Sequence, residues 1–175
     1  ADSDLRRAVD QNELEVHYQP IVRADSGRIE GVEALCRWRH PERGFLEASS
    51  FVPLAEETGL IVAIDALVLR RACGQASAWN RTHADPLTLN VNLSALQFHR
   101  RDLLATIERT LEETGLDPRH FQLELTETAV VADVEGSARI LRRLRDAGVG
   151  VCVDDFGTGQ AALASLRNFP VNGLK

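Results

Sequence analysis

Strand-like and helix-like patterns alternate along most of this chain. Apolar side chains at every second position predict strands at residues 14–22, 28–38, 87–93, 121–126, 149–154 and 171–175. Pro20 is expected to break the first strand. Apolar positions three and four residues apart predict helices at residues 3–12, 51–58, 64–79, 103–114, 134–147 and 161–167. Ser50 is a candidate cap for the second of these helices.

The alternation from residue 28 onward indicates βαβ units and a parallel sheet in a single α/β domain covering residues 1–175. An open doubly wound sheet and a (β/α) barrel both fit this rhythm. No strand leads into a Gly-x-Gly-x-x-Gly turn, which disfavours a dinucleotide-binding sheet. A complete barrel needs about 250 residues. A barrel of this length would therefore be incomplete at the C-terminus, and we expect the chain to stop within a strand at Lys175.

Composition narrows the class of protein further. With 44% hydrophobic and 26% charged residues the chain is typical of a globular domain, and its net charge of −6 excludes general affinity for nucleic acid or anionic membranes. No apolar run is long enough to span a bilayer, and no secretory leader is visible. The scattered cysteines, Cys36, Cys73 and Cys152, are predicted to be free thiols in a reducing cytoplasm, without zinc-ligand spacing.

Candidate chemistry is concentrated at the ends of strands. The strand at 149–154 places Asp154 opposite to its valine face, and Asp155 follows directly. Taken alone, these two aspartates could equally form a solvated turn. Glu33, Asn92 and Glu124 also lie in the non-apolar phase near a strand end, although Asn92 could cap a helix and Glu124 could pair with an arginine. Oxygen ligands that converge from separate parallel strands are typical of a Mg²⁺ or Mn²⁺ site.

Seven motifs in order give the chain a resemblance to the EAL-domain cyclic di-GMP phosphodiesterases of bacteria. They are Tyr18-Gln-Pro20, Gly31-Val-Glu-Ala-Leu35 with Arg37-Trp38 and His40-Pro41, 51–57, Asn90-Val-Asn-Leu-Ser94, Glu124-Leu-Thr-Glu127, Asp154-Asp-Phe-Gly-Thr-Gly159 and Leu174-Lys175. The resemblance covers essentially the whole chain. It implies a modified (β/α)₈ TIM-type barrel whose first strand is antiparallel to the others, and hydrolysis of cyclic di-GMP to linear pGpG.

The resemblance also implies roles for particular residues. One divalent ion, Mg²⁺ or Mn²⁺, would be held by Glu33, Asn92, Glu124 and Asp154, and a second by Asp154 and Asp155. Glu127 would orient the loop after Asp154, and Lys175 would contact the attacking water. Arg37 would contact a substrate phosphate and Gln19 a guanine. Two ions can activate water and neutralise the charge that develops on phosphate.

The sequence departs from the family pattern after Gly159, where Gln160, Ala161 and Ala162 replace an aromatic residue and serines. This loop bears on metal geometry and on the homodimer contacts that the family implies. The family's Ile-Asp after Lys175, a later glutamate and a later glutamine do not occur in the chain. We expect a polypeptide that truly ends at Lys175 to associate with itself and to be nearly inactive.

Three functions compete at this point. The first is the phosphodiesterase, as a domain of a longer, possibly membrane-anchored parent protein with sensor or cyclase domains. The second is a receptor that binds cyclic di-GMP without cleaving it; such receptors commonly lose the Glu-Ala-Leu glutamate or the Asp-Asp pair, and both are present here. The third is an enolase-type barrel enzyme, which lacks support from the motif order.

Overall fold

The computed structural model describes residues 2–154 and 173–174. The strands are β1 (Leu14–Val22), β2 (Ile29–His40), β3 (Gly44–Glu47), β4 (Thr88–Asn92), β5 (Phe121–Thr126), β6 (Gly150–Asp154) and β7 (Gly173–Leu174). The helices are α1 (Asp2–Asp10), α2 (Val52–Thr58), α3 (Ile61–Asn80), α4 (Ala95–Phe98), α5 (Leu103–Thr114), α6 (Glu127–Val131) and α7 (Val134–Asp146). The predicted helix at 161–167 lies outside the described residues.

These strands form one mixed sheet in the order β1-β2-β4-β5-β6-β7, with β3 paired to β2. β1 runs antiparallel to β2, whereas β2, β4, β5, β6 and β7 are successively parallel. The predicted α/β class and the antiparallel first strand are therefore confirmed. Within the described residues the sheet runs from β1 to β7 without closing on itself.

The period-2 patterns separate an apolar face from a polar face. Leu89 and Val91 of β4, Leu123 of β5, and Val151 and Val153 of β6 are buried on the face that packs against the helices. α3 supplies much of this cover, with contacts to β1, β2, β4 and α5. The opposite face carries the polar residues, so the burial of the apolar face fixes where the candidate site residues point.

Several boundaries differ from the sequence predictions. Pro20 does not break β1; it lies opposite Val32 in a strand that, among the described residues, pairs with β2 alone, and a missing N–H is tolerated there. β2 extends beyond Trp38 to His40 because it turns back through β3, which the sequence analysis did not predict. Ser50 does not cap α2: it ends a 3₁₀ turn, and Phe51 precedes the helix without a side-chain cap.

Two short helices, α4 and α6, were also not predicted. α4 begins two residues after β4 and α6 directly after β5. Each begins at a hydroxyl cap: Ser94 Oγ accepts from Gln97 N, and Thr126 Oγ1 accepts from Ala129 N. Both capping residues lie at or just after the C-terminal ends of their strands, β4 and β5. Of the described helices, none combines the length and apolar character that a membrane crossing requires.

Candidate active site

The candidate ligands lie on the polar face of the sheet, at positions that advance along the strand direction from β2 to β6. Glu33 lies opposite Asn90 of β4, two residues before Asn92. Asn92 lies opposite Glu124 of β5, and Asp154 lies opposite Thr126, two residues beyond Glu124. Each step of two residues keeps the side chain on the same face and advances about 6.6 Å along the strand. The set therefore follows the stagger of the strands rather than one level of the sheet.

One hydrogen bond joins the first two of these residues, Glu33 and Asn92. Asn92 Nδ2 donates a hydrogen bond to Glu33 Oε1 at 2.8 Å. The amide therefore directs its nitrogen at the carboxylate, and the amide oxygen is the atom of Asn92 that this bond does not use. Glu33 is not at the C-terminal end of its strand, since β2 continues to His40, but it lies where the parallel pairing with β4 ends.

Asn90 is a site residue to which the sequence analysis gave no role. Its side chain is buried, with 5% of its surface exposed, and Asn90 Nδ2 donates to Glu124 Oε1 at 2.6 Å. Glu124 is itself only 2% exposed. A buried carboxylate needs hydrogen-bond donors to offset its desolvation, and Asn90 supplies one from the neighbouring strand. The sequence signal for Asn90 was its position two residues before Asn92, which places both side chains on the same face of β4.

The donor chemistry of this set fits a hard divalent ion. Carboxylate and amide oxygens are the ligands that Mg²⁺ and Mn²⁺ prefer. Asn92 is the central member, since it contacts Glu33 and lies directly opposite Glu124. Within residues 2–154, no three histidine, cysteine, aspartate or glutamate side chains stand close enough together to hold an ion by themselves. In the order of the strands, Asn92 of β4 lies between Glu33 of β2 and Glu124 of β5.

The two residues predicted to bind nucleotide lie on β1 and β2, on the same face of the sheet as Glu33. Gln19 of β1 is directly opposite Glu33 in the antiparallel pair and is exposed. Arg37 shares the face of Glu33 and lies four residues further along β2, about 13 Å away. Its guanidinium donates from Nη1 to the Cys36 carbonyl at 3.1 Å, and Nη2 lies 3.9 Å from Glu47 Oε1. The guanidinium of Arg37 therefore contacts its own strand through Cys36 and the neighbouring β3 through Glu47.

Of the remaining predicted residues, the structure describes Glu127 and Asp154. Glu127 is the first residue of α6 and is buried, directly after the end of β5. Asp154 is the last residue of β6 and is half-buried. Asp155, Lys175 and the loop that Glu127 was predicted to orient lie outside the described residues. These assignments remain predictions.

A cavity of about 510 Å³ opens beside these strand ends. Its polar wall includes Asn92, Glu124, Asp154 and Asp65. Its apolar wall comes from β2, α2 and α3, and includes Ala34, Val52, Pro53, Ile61, Ile64 and Val68. We refer to it as the strand-end cavity. Such a combination of an apolar wall and a few convergent polar groups is typical of a small-molecule site.

Asp65 of α3 is the second site residue that the sequence analysis missed. It is 8% exposed, and Ser94 donates to it from both its backbone nitrogen and its hydroxyl. Burial raises the pKa of Asp65 to about 6, against the opposing effect of the two hydrogen bonds from Ser94. The signal in the sequence was a carboxylate on the apolar stripe formed by Ile61, Ile64 and Val68.

The chain is similar in sequence to two named proteins of Pseudomonas aeruginosa. The chain is 45% identical over 98% of its length to MucR of Pseudomonas aeruginosa, named a bifunctional diguanylate cyclase/cyclic di-GMP phosphodiesterase, and 39% identical over 99% to NbdA of the same organism, named a cyclic di-GMP phosphodiesterase. It spans 25% and 22% of their lengths, respectively.

A solved structure of the MucR phosphodiesterase in complex with cyclic di-GMP superposes with a TM-score of 0.94. That match has 43% identity and covers 98% of this chain and 70% of the other. The likeness confirms the EAL-domain architecture that the motif resemblance implied, and the antiparallel first strand is seen directly in the pairing of β1 with β2. The model of the EAL domain family matches residues 2–175, and the chain belongs to that family.

Proposed function

We propose that this chain binds cyclic di-GMP at the strand-end cavity and hydrolyses one of its phosphodiester bonds, giving linear pGpG in a reaction that depends on Mg²⁺ or Mn²⁺. The observation that carries this proposal is that Asn92, which is hydrogen-bonded to Glu33, lies opposite Glu124 on the next strand and lines one cavity with it. The names of the relatives MucR and NbdA support the choice of substrate and reaction.

The proposed metal ligands are those predicted from the sequence. Glu33, Asn92, Glu124 and Asp154 would hold one ion, and Asp154 and Asp155 would help to hold a second. When bound, such ions make a water molecule more acidic and neutralise charge on the phosphate. The Asn92–Glu33 hydrogen bond and the Asn90–Glu124 hydrogen bond fix two of the carboxylates in advance, which reduces the reorganisation needed on binding.

The proposed substrate contacts come from β2, the strand that carries Glu33, and from its antiparallel neighbour β1. Arg37 would donate to a phosphate oxygen, for which a planar guanidinium is well suited. Its present partners are a carbonyl oxygen at 3.1 Å and a carboxylate at 3.9 Å, and a hydrogen bond to an anionic phosphate oxygen would be stronger than one to the neutral carbonyl. Gln19 is exposed opposite Glu33 and would contact the guanine edge through its amide. Lys175 would add positive charge near the attacking water.

The test is a hydrolysis assay with the protein in molar excess over cyclic di-GMP, so that even slow conversion is detected. The products are separated by chromatography with Mn²⁺ present and with a chelator. We expect conversion to pGpG that requires Mn²⁺ and is abolished by Glu33→Gln. Glu30→Gln is a matched control, because Glu30 lies on the same strand in the opposite phase and is 52% exposed; it should behave as the parent.

The outcomes separate the two competing functions. Saturable binding of cyclic di-GMP that leaves the nucleotide intact over the whole incubation would contradict the enzymatic proposal and favour a receptor. Equal conversion by the parent and by Glu33→Gln would contradict the assignment of Glu33 to the ion.

A further inference from the structure

Asp65 is a buried carboxylate that the proposed reaction does not use. It lies on α3 between Ile64 and Ala66, and its neighbours on the buried stripe of the helix, Ile61, Ile64 and Val68, are apolar. A buried carboxylate costs free energy that an apolar side chain at the same place would not. The hydrogen bonds it makes are the feature of the structure that offsets this cost.

Both hydrogen bonds end on the same oxygen of Asp65. Oδ2 accepts from the backbone nitrogen of Ser94 at 3.1 Å and from Ser94 Oγ at 2.5 Å. Ser94 Oγ in turn accepts from Gln97 N at 3.2 Å, which caps α4. Asp65 therefore connects α3 to the turn that joins β4 to α4.

The same turn is held from its other side by β5. The backbone nitrogen of Leu93 donates to the carbonyl of Glu124 at 3.0 Å, and Leu93 is buried. The two residues that follow Asn92 are thus fixed to different elements, Leu93 to β5 and Ser94 to α3. Asn92 itself is exposed, and within the described part of the chain its side chain is hydrogen-bonded to Glu33. Its orientation therefore depends on the backbone that follows it.

We propose that Asp65 is a positioning residue, which holds the β4–α4 turn through Ser94 so that the Asn92 amide remains between Glu33 and Glu124. This inference rests on the proposed function insofar as it concerns an ion held by Asn92. Asp65 acts through Ser94 and is not itself a ligand. Partners that orient a metal ligand typically change metal affinity about 10–100-fold when they are removed.

Two substitutions of Asp65 distinguish positioning from ligation. In Asp65→Asn the side-chain amide oxygen can accept both hydrogen bonds from Ser94, since both end on one oxygen. Asp65→Ala removes both. For calorimetric titrations with Mn²⁺, we expect the affinity of Asp65→Ala to fall about tenfold or more and that of Asp65→Asn to stay within about threefold of the parent. Asp117→Asn, on the turn before β5 at the opposite end of the sheet, is the control and should match the parent.

A second variant, Ser94→Ala, keeps the test decisive if Asp65→Ala does not fold. Ser94→Ala deletes the hydroxyl that bonds Asp65 without opening space in α3, and we expect it to weaken Mn²⁺ binding several-fold. Parent-like Mn²⁺ affinity in either Asp65→Ala or Ser94→Ala would overturn the proposal. An equal loss in Asp65→Asn and Asp65→Ala would also overturn it, because the charge rather than the hydrogen bonds would then matter.

Amide hydrogen exchange gives a readout that does not depend on the proposed function. Without added metal, we expect the amides of residues 93–98 to exchange faster in Asp65→Ala than in the parent, while those of β5 are unchanged. If the parent binds no Mn²⁺, the proposed function fails, and the exchange of this turn still decides whether Asp65 holds it. Unchanged exchange at residues 93–98 would overturn the positioning role.

Discussion

Replacing Asp65 with asparagine should stabilise the fold at neutral pH and have little effect in acid. The parent must bury an ionised carboxylate on α3 above pH 6, whereas the amide is neutral at every pH. Burial raises the pKa of Asp65 to about 6 from an ordinary value of 3.8, and the nearby charge of Glu56 acts in the same direction. The variant keeps an acceptor for both hydrogen bonds from Ser94.

The direction and size of the effect follow from proton linkage. Because the native state holds the proton of Asp65 more tightly than the unfolded chain, the parent gains stability from this group as the pH falls. Below pH 3.8 the carboxyl is protonated in both states, and the penalty disappears. For a shift of this size the penalty is about 3 kcal/mol at pH 7.5, about 1.5 kcal/mol at pH 5 and about 0.5 kcal/mol at pH 4.

Urea denaturation of the parent and of Asp65→Asn at these three pH values measures the difference directly. We expect the stability advantage of the variant to shrink steadily from pH 7.5 to pH 4. Asp117→Asn is the control with the opposite sign, because the hydrogen bond from Arg119 lowers the pKa of Asp117 to about 2 and the substitution removes a favourable charge at neutral pH. A difference between the parent and Asp65→Asn that is independent of pH would refute the reasoning.

Three further predictions concern packing around the site. Gly31→Ala should destabilise the fold by about 2 kcal/mol or more in urea denaturation, because an added Cβ would lie 2.6 Å from the Thr88 carbonyl oxygen; parent-like stability would contradict this close approach. Asn90→Ala should cost about 1–3 kcal/mol by removing a donor to the buried Glu124 carboxylate, and an unchanged unfolding midpoint would exclude that role. Burial raises the pKa of Cys73 to about 12, so its alkylation by iodoacetamide at pH 8 should become rapid only after unfolding, and rapid alkylation of the folded chain would contradict its burial.

The strands of the central sheet could be predicted well because one face of each is buried. In β5 the alternation of Phe121, Leu123 and Leu125 with polar residues gave the observed bounds, Phe121–Thr126. Alternation in β2, β4, β5 and β6 also predicted that Glu33, Asn92, Glu124 and Asp154 share one face of the sheet. Shifting the pairing of a strand by one residue would expose its apolar side chains.

The missed elements depend on contacts that a local pattern does not contain. The extension of β2 to His40 is stabilised by β3, and a hairpin between half-exposed strands has a weak period-2 signal. α4 and α6 are too short to show a helical period, although the hydroxyl residues that cap them, Ser94 and Thr126, were visible.

Within the site, the residue types could be predicted from the sequence, but the register that sets which residues lie opposite one another could not. The register of β2, β4 and β5 decides that Asn92 contacts Glu33 and lies opposite Glu124. The role of Asp65 depends on a pairing with Ser94 across 29 positions, which helical periodicity cannot reveal. What periodicity did offer was a carboxylate among apolar residues, a pattern that marks either a functional or a positioning group.

Binding of cyclic di-GMP is the measurement that tests the central claim most directly, because the enzyme and the receptor hypotheses share it. Calorimetric titration of the chain in the presence of Mn²⁺ should give saturable heat with cyclic di-GMP and none with cyclic AMP. Arg37→Ala should weaken the affinity about tenfold or more through loss of a charged hydrogen bond to phosphate, whereas Arg119→Ala, remote from the strand ends, should not. Equal heats for the two nucleotides, or no heat with either, would contradict the account.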